Sequence, residues 1–467
     1  MFCLFHLFIV SFCIYYFSLY ICNLWKYSNF SGPMPLPIIG NLYNVKNFSF
    51  INLINRLSKK YGDVYKFFIF SKPFIVVSKP NLTKYILLNN DIFYKDDAFY
   101  KDGLGIIFGQ GLVTSNGEKH KNDKKIFHKY FMNPNINKHM ELINNIAKKN
   151  INDLIDVIDV ENKKINIEHF FAKITIQVIL KYGFDVEMES QEENITCHYI
   201  SNASYLSVIC GCLDIPRWNI IPIINKLNYY KDYFEKTLIK IIDNHNKKIE
   251  SDDHNKKLES DNILTHMLKE NMSLNDMTDH FITILSAGQD TTSYLMSYMA
   301  YLLSHDQDIQ EKVREEFNLK EFDSSFPYFD MVINETLRLY PVIPQISRTC
   351  NEDIFIKEEN ITIPKYSTII IPFYISNRDP NIWENPKQFN PDRFKERGNL
   401  LKKGYFPFCY GQRTCIGNHL ANIETKIVMY NLIKKYKILP VPYFKPNILA
   451  GISLTTQNGI DVILEKI

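Results

Sequence analysis

Charge is what the amino end of this chain lacks. Met1 to Trp25 contain no Lys, Arg, Asp or Glu and are mostly Phe, Ile, Leu, Tyr and Cys, with Lys26 the first charged residue. A helix rising 1.5 Å per residue would carry such a run across a hydrocarbon layer of roughly 30 Å. A basic leader and a small-x-small cleavage site are missing as well, which excludes an ordinary secretory signal and predicts a retained transmembrane anchor over 1–25. A disulfide framework is also absent. The nine cysteines are odd in number and scattered along 467 residues, which excludes a stapled secreted scaffold and favours a reducing compartment. No excess of either charge exists: 54 basic against 51 acidic residues leave +3, and nothing in that balance calls for nucleic acid as a partner. No internal repeat is visible.

What is present is 46% hydrophobic residues and 14% aromatics, enough for a large core. Proline clusters at 26–41, in Ser31-Gly-Pro-Met-Pro-Leu-Pro-Ile-Ile-Gly-Asn41, and predicts a stiff non-helical hinge. Beyond it the patterns predict a helix over 51–61, strands over 64–69 and 74–77, and a loop over 93–111. Helices follow over 117–132 and within 140–183. The loop 215–222 carries Trp218 and suits either buried packing or a membrane interface; 244–262 reads as a polar connector. Proline is missing from 274–304, which is apolar on nearly all sides and predicts a long helix through the core. Further helices are expected over 308–317, 328–340 and 416–434. Short strands are expected at 355–356, 361–363 and 368–371, with a closing hairpin over 451–457 and 460–464.

Two stretches carry chemistry. The first is Phe406-Pro-Phe-Cys-Tyr-Gly-Gln-Arg-Thr-Cys-Ile-Gly-Asn-His-Leu-Ala421. Its glycines allow close backbone approach to a flat ligand. Cys415, beside Arg413 and at a helix start, is expected to be a thiolate and a metal ligand. A local Cys409–Cys415 disulfide, or a zinc site from Cys409, Cys415 and His419, are the alternatives. The second is Ala287-Gly288-Gln289-Asp290-Thr291-Thr292 inside the proline-free helix. An acid and two hydroxyls are costly in a core unless used; the alternative is Thr291 bonding back to the preceding turn.

The pattern Phe408-x-x-Gly411-x-Arg413-x-Cys415-x-Gly417 resembles the haem-binding loop of the cytochromes P-450, and 287–292 resembles that family's acid–alcohol motif. Glu335-x-x-Arg338 and Pro391-x-Arg393-Phe394 match two further family motifs, and the proline hinge resembles its post-anchor linker. The resemblance implies the cytochrome P-450 fold, mainly α with a smaller β region, with an amino-terminal transmembrane helix and a catalytic domain over 42–467. It implies a haem-thiolate monooxygenase that puts one atom of dioxygen into a lipophilic small molecule. Cys415 would ligate the iron of haem b (iron protoporphyrin IX), with Phe408 beside it. Ala287 and Gly288 would border a dioxygen groove, and Asp290 and Thr291 would deliver protons. Arg413, Arg348, Lys124 and His120 would hold the propionates, Lys124 and His120 standing where the family usually has Arg and Trp. Glu335, Arg338 and Arg393 would form a structural charge cluster.

Electrons would come from NADPH–cytochrome P-450 reductase, with cytochrome b5 as a second candidate partner. The docking face would carry Lys402 and Lys403 with Lys119, Lys121, Lys124 and Lys125. The body would face the cytosol from the endoplasmic reticulum. Rival readings are a haem-thiolate isomerase or dehydratase and a non-catalytic haem carrier.

Overall fold

The computed structural model describes residues 2–44, 50–156, 164–212, 220–251, 262–319, 321–322, 325–396 and 400–467, without the side chains of 2–10, 12, 13, 44, 155, 156, 212, 250 and 251. Helix α1 (Phe2–Lys26) forms where the uncharged run lies. Nearly half of the expected anchor thus falls outside the described side chains, and among the described residues no helix is long and apolar enough to cross a membrane. The carboxyl end of α1 is tied down: Asn23 Nδ2 donates to Ser71 O at 3.0 Å and Lys26 Nζ to Lys365 O at 3.1 Å. Residues 31–41 are largely non-helical, as expected, but they are pinned. Phe68 N donates to Asn41 Oδ1 at 2.8 Å and Asn41 N to Phe68 O at 2.7 Å.

Next come α2 (Phe50–Tyr61), β1 (Val64–Ile69), β2 (Lys72–Val77), α3 (Pro80–Leu88) and β3 (Phe93–Tyr94). β1 and β2 pair antiparallel with Val64 opposite Val77. The hairpin is only one side of a five-stranded sheet ordered β1-β2-β8-β5-β3, in which β2 runs parallel to β8. Its partners β5 (Ile346–Cys350) and β8 (Thr368–Ile371) arrive nearly 300 residues later, with β6 (Ile354–Ile356) and β7 (Ile361–Ile363) forming a separate ribbon between them. The expected loop over 93–111 is mostly helical. A wide turn spans 97–104, capped by Asp96 accepting from Phe99 N at 2.9 Å, and α4 (Gly105–Phe108) follows.

The helical region comprises α5 (Gly117–His128), α6 (Asn133–Lys138), α7 (Met140–Asn152), α8 (Ile167–Phe184) after the short β4 (Lys164–Asn166), α9 (Ser190–Cys212) and α10 (Ile221–Ser251). α10 takes in the first part of the expected connector; the remainder of it, like Trp218 and its loop over 215–219, lies outside the described residues. α11 (Ile263–Lys269) leads to α12 (Leu274–His305), the proline-free stretch. Ser273 caps α12 by accepting from Asp276 N at 3.1 Å, and the helix is buried along most of its length against α8, α9 and α16. α13 (Gln307–Asn318), α14 (Pro327–Leu339), α15 (Phe373–Ser376) and α16 (Asn418–Ile433) complete the helices. The carboxyl end is not one hairpin. β10 (Ile448–Ala450) and β11 (Leu454–Thr456) pair with each other, whereas β12 (Asp461–Lys466) lies between β4 and β9 (Tyr436–Pro440). Local pattern shows a strand but not its partner, and two apolar runs so close in sequence read as a pair.

Candidate active site

The cysteine loop folds as a tight shelf. Gly411 has φ +74°, and a Cβ there would sit 2.6 Å from Leu87 O, so the position needs glycine on both counts. Cys415 N donates to Phe408 O at 2.9 Å, and half-buried Phe408 packs on the main core. Cys409 and Cys415 are both free thiols, and among the described residues no trio of His, Cys, Asp or Glu could hold a metal ion, so neither alternative to a single-thiol ligand is assembled. Cys415 keeps accessible surface although protein surrounds it; its thiol therefore faces an internal space. The expected ready-made thiolate is not found. Burial pushes the thiol up, and the opposing pull of Gly417 N–H and the Lys124 ammonium does not outweigh it.

Lys124 also differs from expectation. Its Nζ donates to Gln412 O at 2.6 Å and Thr414 O at 3.0 Å, so it clamps the shelf to α5. Arg413 reaches the other way, Nη1 to Ser115 O at 2.9 Å and Nη2 to Asn116 Oδ1 at 3.0 Å. Around them gather buried Arg348 and His120 and one cation the sequence did not single out, Lys95. Burial, then Arg413 and Arg348, hold Lys95 well below its usual range; burial and Arg348 bring Arg413 down to about 10. Burial and the surrounding cations lower His120 to about 3, so it is a neutral ring. Among the described residues no carboxylate forms an ion pair with Lys95, Lys124, Arg348 or Arg413. Lys95 lies in no recognisable spacing with the others, and only the fold brings it in.

On α12, Ala287 is exposed and Gly288 and Thr291 are partly so, while Ile284 to Ser286 and Gln289 and Asp290 are buried. These accessible residues occupy adjoining rows one turn apart. Thr291 Oγ1 donates to Ala287 O at 2.6 Å, the back-bonded arrangement. Gly288 is explained by packing: a Cβ there would lie 2.9 Å from Ile179 Cγ1 of α8, so its missing side chain serves close helix approach and not only a groove. Asp290 is buried, bonded by Ser201 Oγ at 3.3 Å, and raised to about 7 chiefly by burial.

The sequence profile of the cytochrome P-450 family matches residues 30–462. The chain belongs to the cytochrome P-450 family. It is similar to cytochrome P-450 3A9 of Rattus norvegicus, 23% identical over 451 residues that cover 91% of this chain and 89% of the relative. It is 25% identical to cytochrome P-450 3A6 of Oryctolagus cuniculus, with coverage of 89% and 86%. It is 27% identical to the probable cytochrome P-450 508A1 of Dictyostelium discoideum, with 93% of each chain covered. The protein is thus an oxygen-incorporating monooxygenase, a family that works with haem iron, dioxygen and electrons from a reductase.

The residues of this cytochrome P-450 fit haem. Buried like charges without a counter-ion are expensive, and two propionates are the dianion that Lys95, Arg348, Arg413 and a neutral His120 donor could satisfy. Behind the shelf, Glu335 accepts from Arg338 at 2.7 and 2.9 Å, from Arg393 Nε at 3.0 Å and from Asn390 N at 2.9 Å. Arg338 also donates to Asn377 O, Pro386 O and Gln388 O, so this fully buried pair has its donors and acceptors filled. Of the expected docking lysines, Lys119 is paired with Asp276 and Asp123 and Lys121 with Glu118; Lys125 and Lys402 remain exposed without an ion pair among the described residues.

Proposed function

We propose that residues 42–467 form a haem-thiolate catalytic domain that holds haem b between the Cys415 shelf and the accessible face of α12 and acts on a lipophilic substrate. The observation that carries this reading is the internal thiol of Cys415 beside a buried cation cluster that has no counter-ion among the described residues. Bound haem would supply the binding and reductive splitting of dioxygen. A thiol that burial keeps protonated is deprotonated on binding a metal, so haem capture would release a proton here. Lys124 would hold Gln412 and Thr414 so that the shelf keeps its shape, while Arg413, Arg348, Lys95 and His120 take the propionates. Thr291, its proton engaged by Ala287 O, would accept a hydrogen bond from a proton donor on its open side, and Asp290 would replenish that proton.

Electrons would come from an NADPH-dependent reductase, with cytochrome b5 as a second donor, docking near Lys125 and Lys402. The uncharged run 1–25 and the exposed Ile14, Phe17, Ile21 and Trp25 of α1 support membrane association at this end. By family resemblance the membrane would be the endoplasmic reticulum and the body cytosolic. The test is the spectrum of the reduced protein with carbon monoxide. A strongly red-shifted Soret band is expected for wild type and Cys409→Ala and its loss for Cys415→Ala; a wild-type spectrum without that band would overturn the reading.

A further inference from the structure

Asp290 and Thr291 are neighbours on α12 yet open in different directions. Thr291 shares its accessible row with Ala287. Asp290 instead lines a separate cavity of about 720 Å³ enclosed by α8, α9, α12 and the β10–β11 hairpin. The cavity is a funnel. Its rim carries exposed His169, Asn194, His198 and Gln457, and its floor is buried Gln289, Asp290 and Ser293. Glu168, at the start of α8, stands on the wall with its carboxylate accepting from Thr456 Oγ1 at 2.6 Å.

We propose that Glu168 is the entry carboxyl of a proton path that runs from solvent through this funnel to Asp290. This rests on the monooxygenase reading above and adds to it the route and the residue. Three observations carry it. Glu168 and Asp290 line one cavity, form no ion pair among the described residues, and are close enough for the charge of Glu168 to act on Asp290. Gln289, only 2% exposed, lines the floor with Oε1 lacking any partner, which marks a place for a donor such as water. Both carboxyls are raised to about 7, in each case mainly by burial, so each can take and give a proton near neutrality. An acid kept only for its bond to Thr456 would be cheaper as an amide.

The other titratable groups facing the cavity are His169 and Lys173 of α8, Glu193, Cys197, His198 and Tyr205 of α9, and Tyr294 of α12; the hairpin supplies none. For each proton passed inward, Glu168 gives one up through water to the Asp290 carboxylate and takes one back from solvent. Both carboxyls end as they began. The two protons that leave in water with the second oxygen atom are the ones consumed, with two electrons from the reductase. Glu168 acts through Asp290, and so is a positioning residue for the proton.

The test follows turnover of the holoenzyme with NADPH and its reductase, which supply both electrons, in water and heavy water, across neutral pH. Wild type should slow as pH rises through about 7 and show a solvent isotope effect. Glu168→Gln should be roughly tenfold slower and keep only the Asp290 inflection, moved downward because the Glu168 charge that raises Asp290 is gone, and Glu168→Asp should restore the wild-type profile. Thr456→Val removes a bond that lowers Glu168 and should move the inflection upward, a shift that misfolding does not mimic. Infrared difference spectra should show two carboxyl contributions titrating near 7, of which Glu168→Gln removes one. Wild-type rate and pH profile in Glu168→Gln would overturn the proposal. The carbon monoxide spectrum is the control: its red-shifted band should persist in every variant, and its absence from wild type would sink the monooxygenase reading while the infrared titration still reports on Glu168.

Discussion

Lys124 holds two carbonyls of the cysteine loop from a helix almost 300 residues earlier. Bonds from a charged donor contribute about 1.5–3 kcal/mol each. Lys124→Met should therefore loosen the shelf, and haem transfer to apomyoglobin should speed about tenfold, equivalent to about 1.4 kcal/mol; an unchanged rate would show that the clamp is idle. Glu335 is the second telling residue. Glu335→Gln removes the charge that compensates fully buried Arg338, and breaking such a pair costs about 3–5 kcal/mol. Denaturant unfolding should show a midpoint shift of that size, whereas a shift under about 1 kcal/mol would mean the pair behaves like a surface one. Both residues were singled out from their motifs, but Lys124's partners were not legible. Spacing along a helix says which face a side chain takes and nothing about what is carried to meet it.

At the scale of elements, α12 is set by its neighbours. The helix was readable from its apolar, proline-free run, and its observed ends, Leu274 and His305, agree with the pattern. The reason for Gly288 was not, because Ile179 lies on another helix. Gly288→Ala gains about 1 kcal/mol of helix propensity but must push Ile179 aside, and overpacking costs about 1–3 kcal/mol. The single variant should thus be destabilised by up to about 2 kcal/mol, the difference of those two terms. Combining it with Ile179→Ala should give less than the sum of the two single losses; strict additivity in thermal or denaturant unfolding would count against the contact. The closing strands teach the same lesson, since β12 joins β4 and β9 rather than its near neighbour β11.

The whole molecule joins a sheet built from segments nearly 300 residues apart to a helical body crossed by α12. Its amino end is held to that sheet by Asn23, Lys26 and Tyr27, with Tyr27 Oη 2.9 Å from Ser367 Oγ. A variant lacking residues 1–22 keeps these contacts. The full chain should float with neutral phosphatidylcholine vesicles and the shortened one should not; equal flotation would place the membrane contact elsewhere.

The sequence by itself determined the family, through short motifs whose chemistry is local: a glycine turn carrying a cysteine, an acid beside a threonine, a glutamate one turn from an arginine. It also determined α12, α13, α14, α16 and most strands, because their periodicity is written in consecutive residues, but left α9 and α10 unread. Only the tertiary structure decided that Lys124 grips the cysteine loop, that Lys95 joins the cation cluster and that burial opposes the free thiolate. It alone placed Glu168 in the cavity of Asp290. Proton affinities and counter-ions depend on what surrounds a group in space, and those surroundings come from segments hundreds of residues apart.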